Sequence, residues 1–123
     1  MTFGEMQISL NKDERQVIII LLDSGASKSI IFANLAKRLH KSKTGKTQWS
    51  TVAGAVETTH ATRVNFKLNE FSTSRVVEWT FHAAEKEFNY DMIIGRDLLT
   101  ELGLILNFKL QTVSWDEYKI PMK

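Results

Sequence analysis

Met6, Ile8 and Leu10 alternate with polar residues, the pattern of a strand with one buried face. Asn11-Lys12-Asp13-Glu14 follows as a hairpin turn. Val17 to Leu22 is the longest apolar run, and its six residues suit a strand buried on both faces. It stops at Asp23-Ser24-Gly25, and Ile30-Ile31 predicts another short strand. Leu35, Ala36 and Leu39 form a helical stripe within Asn34 to Leu39, whereas the polar, basic segment Lys41 to Lys46 reads as a loop. Gln48 to Val52 and Thr58 to Leu68 are rich in β-branched residues and flank Ala53-Gly54-Ala55, so they predict a long hairpin with a small-residue tip. Val76 to Phe81 and Met92 to Ile94 are further strands. Asp97 to Leu102 predicts a helix, with Asp97 capping its N-terminus, Leu98, Leu99 and Leu102 buried, and Gly103 at its left-handed end. Leu104 to Phe108 and Thr112 to Trp115 predict a final strand pair.

These elements make a mainly β domain, and 123 residues suffice for one domain with one core. No internal repeat or linker divides residues 1–123. Hydrophobic residues are 43% and charged residues 24% of the chain, a globular balance. The formal net charge of +2 is too weak to nominate nucleic acid as a partner. Six apolar residues in a row fall far short of the roughly 20 that span a bilayer, and the first residues lack the apolar stretch of a signal peptide. There is no cysteine, which excludes disulfides, thiolate nucleophiles and cysteine metal sites. His40, His60 and His82 have no ligand-like spacing, so neither a metal nor another cofactor is expected. No histidine stands in a motif that would activate Ser24 as a nucleophile. Lys37, Arg38, Lys41, Lys43 and Lys46 read as solvated charge, and Trp49 and Trp79 as packing residues, although Trp49 begins the predicted hairpin and could cover a cleft.

Asp23 differs from the other four aspartates, which lie beside turns, helix starts or charged neighbours. It directly follows the most apolar stretch, where a carboxylate is costly without compensation. One reading is that it ends a strand and accepts hydrogen bonds from turn amides. The other is that Asp23-Ser24-Gly25 presents an oriented carboxylate for acid–base chemistry. Activating water against a peptide carbonyl benefits from two carboxylates sharing one proton. The chain has only one such triplet, so this chemistry would require a two-fold homodimer that brings two copies of Asp23 together.

Leu21-Leu22-Asp23-Ser24-Gly25-Ala26-Ser27 resembles the active-site motif of retroviral-type aspartic proteases, the retropepsins. Ile93-Ile94-Gly95-Arg96-Asp97-Leu98-Leu99 resembles the second signature of that family, with a flap-like hairpin between the two. The resemblance runs from about Met6 to Trp115 and is most like the protease of gypsy-type long-terminal-repeat retrotransposon polyproteins. It implies a closed barrel with a flap hairpin, one C-terminal α-helix and a short extra helix. The activity implied is aspartic endopeptidase action on extended polyprotein segments by a homodimer, without cofactor, nucleic acid or membrane. The setting implied is the cytoplasm, including virus-like particles.

By the same resemblance Asp23 is the catalytic carboxylate, one per subunit. Ser24 locks the two active-site loops together across the axis, and Gly25 contributes backbone contacts. Substrate would lie against Gly25, Ala26, Ser27 and Lys28 on the floor and Val52, Ala53, Gly54 and Ala55 in the flap tip. Arg96 would be structural. The chain departs from the retroviral pattern in placing Ser27 and Lys28 where acidic residues are frequent, in a flap with one glycine, and in an extension over Lys109 to Lys123. Ala26 lacks a hydroxyl that pepsin-like enzymes direct at the carboxylate, which should affect the working pH of the dyad. Alternative readings are a host-domesticated or ubiquitin-shuttle-type protease with a cellular substrate, and an inactive dimerisation or peptide-binding module.

Overall fold

The computed structural model describes residues 2–10, 14–37, 39–51, 54–68, 71 and 74–122, with side chains from residue 19 onward. Asn11 to Asp13, where a hairpin turn is predicted, and Val52 and Ala53, predicted to lie in the flap tip, are outside the described residues. The elements are β1 (Thr2–Leu10), β2 (Glu14–Leu22), β3 (Ile30–Ile31), α1 (Ala33–Ala36), β4 (Ser42–Thr51), β5 (Gly54–Phe66), β6 (Val77–Ala84), β7 (Met92–Ile94), α2 (Arg96–Leu102), β8 (Leu104–Asn107), β9 (Thr112–Trp115) and β10 (Tyr118–Pro121). The domain is mainly β, as its alternating and β-branched segments predict.

Seven strands form one sheet in the order β1-β2-β7-β3-β6-β5-β4. β2 runs parallel to β7, pairing Leu21 with Ile93, and β7 runs antiparallel to β3. β1 also lies against β5, so the sheet curls on itself, although no ladder joins its two ends among the described residues. β8, β9 and β10 form a second sheet in the order β10-β9-β8.

The central strands explain the unbroken apolar runs. Successive residues of a strand face opposite sides. Ile20, Leu22, Ile31, Met92 and Ile94 enter the larger core with Phe66, Phe81, Leu98 and Trp115. Leu21, Ile30 and Ile93 enter a smaller one with Ala26, Phe32, Val56 and Ala84. Both faces are buried, so no polar position interrupts the sequence.

Several expectations about these elements need correction. Lys41 to Lys46 is not a loop: from Ser42 it belongs to β4, the edge strand opposite β5. Edge strands carry charge because it blocks pairing with other chains, and that same charge hides them from a hydrophobicity pattern. α1 is shorter than Asn34 to Leu39, and the half-buried Lys41 ammonium donates to the carbonyls of Ala36 (2.8 Å) and Leu39 (3.2 Å) just beyond it. β10 was not predicted at all. It is a short edge strand ending in Pro121, where a missing N–H costs little.

α2 begins at Arg96, one residue before the predicted start. Its N-cap position, Gly95, makes no side-chain cap, so Asp97 lies in the first turn without capping it. Gly103 closes the helix at φ 72°, as predicted. Gly95 has a stricter requirement. A Cβ there would stand 2.5 Å from the Lys28 carbonyl oxygen and 2.8 Å from that of Ala26. Gly95→Ala is expected to destabilise the domain by about 1–3 kcal/mol or more, because the obstacle is backbone rather than a movable side chain. Urea denaturation of the two proteins measures it, and an unchanged midpoint would contradict the close packing.

Candidate active site

Asp23 sits immediately beyond β2 and extends the β2–β7 seam by one bond: its N–H donates to the Ile94 carbonyl at 2.9 Å. The chain then turns sharply. Gly25 N–H donates to Asp23 Oδ1 at 2.9 Å, and Ala26 N–H to the Asp23 carbonyl at 3.1 Å. A Cβ on Gly25 would lie 3.1 Å from the same Oδ1, so glycine lets the backbone come this close to the carboxylate. Asp23 thus ends a strand and accepts a turn amide, as the first reading expects, and it remains half-buried.

The loop is anchored from the second signature. Arg96 N–H donates to the Ala26 carbonyl at 2.8 Å, and Gly95 N–H to Ser29 Oγ at 3.0 Å. Ser29 is fully buried and donates to Asp97 Oδ1 at 2.8 Å, while Trp79 Nε1 donates to Asp97 Oδ2 at 3.0 Å. This chain of part-buried bonds ties the Asp23 loop, β6 and α2 together. Sequence reading singled out neither Ser29 nor this role for Asp97, and it took Trp79 only as packing. Ser29 and Asp97 are 68 residues apart, so no local pattern signals their meeting. Asp91 acts similarly at the other end of β7, accepting from Ile19 N–H at 3.0 Å.

The predicted site residues divide into three groups. Asp23, Ser24, Gly25, Ala26, Ser27 and Lys28 form one continuous loop, with Ala26 buried and Ser24, Gly25, Ser27 and Lys28 exposed. Gly54 and Ala55 are exposed at the start of β5, where Thr51 pairs with Gly54 to close the hairpin, and Gly54 adopts φ 86°. Val52 and Ala53 lie outside the described residues. Arg96 is exposed and makes no ion pair among the described residues.

Between floor and hairpin lies the smaller core, against which Trp49, Phe88 and Tyr90 pack. Trp49 packs here as predicted, and polar and ring contacts fix its orientation. Its Nε1 donates to the buried Thr58 hydroxyl at 2.9 Å, and its ring lies 4.7 Å from that of His82. The buried Nδ1 of His82 has no hydrogen-bond partner among the described residues. Burial, and then the positive charge of Lys28, push this imidazole below its ordinary 6.5, against an opposing pull from Asp97. A separate cavity of about 440 Å³ lies between α1 and the hairpin root, lined by Ala33, Lys41, His60 and Ala83 among others, and contains no predicted site residue.

The sequence matches the family described as "gag-polyprotein putative aspartyl protease" over residues 6–101. The chain belongs to this family. No curated protein matches it. Among solved structures, it is similar to the retroviral protease-like domain of Ddi1 from Leishmania major, with TM-score 0.68 and 18% identity over 100% of this chain and 95% of that one. It is also similar to EIAV protease, solved with the inhibitor HBY-793, with TM-score 0.59 and 26% identity over 85% of this chain and 91% of that one. The fold is thus that of the retropepsin-like aspartic proteases.

Two outcomes test the polar framework. Ser29→Ala leaves the Gly95 N–H and one Asp97 oxygen unsatisfied and should cost about 1–3 kcal/mol in urea denaturation. A cost within error would mean that the network is not holding the loop. For His82, the folded imidazole resists protonation. As pH falls below 6.5 the unfolded chain gains a proton that the folded one refuses, so stability is lost. The stability of wild type relative to His82→Leu should therefore decline from about pH 7.5 to about pH 5.5, and a pH-independent difference would contradict the shift.

Proposed function

We propose that the protein is an aspartic endopeptidase whose site forms only when two chains meet. The observation that carries this reading is the Asp23 carboxylate held by the Gly25 amide, on a loop anchored to Gly95 and Arg96, in a chain with one Asp-Ser-Gly triplet. A single carboxylate can take a proton from water or give one to a leaving amine, but it cannot do both at once. Two copies of Asp23 on a two-fold axis share one proton, because two adjacent negative charges are costly. The ionised carboxylate draws the proton from water as the oxygen attacks the peptide carbonyl, and the protonated one donates to the carbonyl oxygen. The newly protonated carboxylate then gives its proton to the departing nitrogen as the C–N bond breaks, and a hydroxyl of the tetrahedral intermediate passes its proton to the other carboxylate, which restores the shared proton.

Ser24, exposed beside Asp23, is positioned to support the facing loop in this reading. β8 offers a second contact, because its outer edge pairs with no strand among the described residues and Ile105 on it is 63% exposed. An extended peptide would lie between the Gly25–Lys28 floor and the hairpin carrying Gly54 and Ala55, pairing its backbone with strand edges and placing alternate side chains in pockets. The family match favours polyprotein segments as substrate over a shuttle-type cellular one; the likeness to the Ddi1 domain is one of fold.

The test is Asp23→Asn, assayed on extended peptides or on self-processing of a longer chain. Cleavage should fall by about 10³-fold or more while sedimentation still shows a dimer. Equal cleavage by both proteins would refute the mechanism, and no cleavage by wild type would favour an inactive dimerisation or peptide-binding module. The wild-type rate should be bell-shaped in pH and centred on the acid side of neutrality, since only the singly protonated pair works. A flat profile through neutral and alkaline pH would count against a shared proton.

A further inference from the structure

We propose that the cavity between α1 and the hairpin root binds a small carboxylate that carries an apolar body. The site is separate from the Asp23 loop and independent of the protease reading. Packed interiors leave few voids larger than a water molecule, yet this opening measures about 440 Å³, the size of sites that take small organic molecules. Its apolar wall comes from two elements: Ala36 on α1, and Ala83 and Ala84 at the end of β6, all three buried. None of them has a side chain long enough to fill the space. The walls are held in place. Ala33 N–H donates to the Lys86 carbonyl at 3.1 Å, which pins the start of α1 to the chain just beyond β6. The half-buried Lys41 is pinned to the other end of α1 by the Ala36 and Leu39 carbonyls, and His60 pairs with Ala83 across β5 and β6.

The polar groups of the lining set the charge of the occupant. An ammonium has three N–H donors, and Lys41 spends two of them on those carbonyls. Among the described residues neither Lys41 nor Lys37 forms an ion pair, unlike Lys46 with Glu57 or Arg63 with Glu78. Glu85 lines the same cavity, so two lysines against one glutamate leave a formal excess of one positive charge beside a neutral His60. One carboxylate cancels it. His60 adds a directional partner: its Nδ1 meets the Thr59 hydroxyl at 2.9 Å, and Nε2 remains the ring nitrogen open to a ligand. A neutral apolar occupant would leave the half-buried Lys41 without a counter-charge, and a bare inorganic anion would leave the alanine wall wet. A carboxylate with an apolar body satisfies both, its charged end at Lys41 and its body on Ala36, Ala83 and Ala84.

The probe is 4-phenylbutanoate, titrated into the protein near pH 7 at low salt and followed through the backbone amide signals in NMR. Ala36, Ala83 and Ala84 should shift together along one saturable curve, with Kd about 0.1–3 mM. The neutral isostere 4-phenylbutanamide should bind about three- to tenfold more weakly, and high salt should narrow that gap. Acetate, which lacks the apolar body, should bind at least about tenfold more weakly than the probe. Lys41→Gln keeps N–H donors for the two carbonyls but removes the charge, so it should bring the acid down to the affinity of the amide, whereas Lys41→Arg should retain the preference. Ala33→Leu, at a half-buried lining position, should weaken acid and amide alike by about tenfold with an unchanged thermal midpoint. Asp23→Asn should bind the probe as wild type does. No saturable shift at the three alanines, equal affinity for acid and amide in wild type, or shifts centred on Asp23 to Lys28 and lost in Asp23→Asn would overturn the proposal. The wild-type comparisons decide it even where a variant fails to fold.

Discussion

The approach of Gly95 to the Ala26–Lys28 backbone is the contact on which the rest of the site depends. With no side chain at Gly95, two segments that are far apart in sequence lie backbone to backbone. That contact lets Arg96 N–H reach the Ala26 carbonyl and Gly95 N–H reach Ser29. The Asp23 turn is consequently held at both ends, by Ile94 before it and by Arg96 after it. Because the anchors are amides and a buried hydroxyl, the carboxylate's position is set by the sheet and not by flexible side chains.

This framework separates two jobs that aspartates perform here. Asp97 and Asp91 are structural acceptors that fasten helix to loop and strand to strand. Asp23 accepts one turn amide and stays half-exposed. The contrast is one of environment more than of residue type: committed oxygens fix a fold, whereas a carboxylate with an oxygen to spare is available for chemistry.

Much of this was legible in the sequence, and the reasons are physical. The apolar run ending at Asp23 is visible because a strand buried on two faces leaves no polar break. Gly103 and the leucines of α2 follow from helical periodicity and a left-handed end. What stayed hidden depends on distant partners or on exposure. Ser29 looks like any loop serine until Gly95 and Asp97 are brought to it. β4 resembles a loop because an edge strand rich in lysine has neither a buried face nor apolar alternation over its first half. The unpaired state of Arg96 was foreshadowed by Ser27 and Lys28, because the positions where a carboxylate could have met it hold a hydroxyl and another cation.

The two cores have a thermodynamic consequence. The larger joins α2, the C-terminal strands, the inner face of the sheet and, through Val64 and Phe66, the base of β5, whereas the smaller reaches from Ala26 and Ile93 to Val56 and Trp49 nearer the hairpin's tip. Lifting only the outer part of the hairpin draws on the smaller set. Local opening there therefore has its own free-energy cost, below that of global unfolding, and substitutions in the smaller core can alter it without altering the melting of the whole.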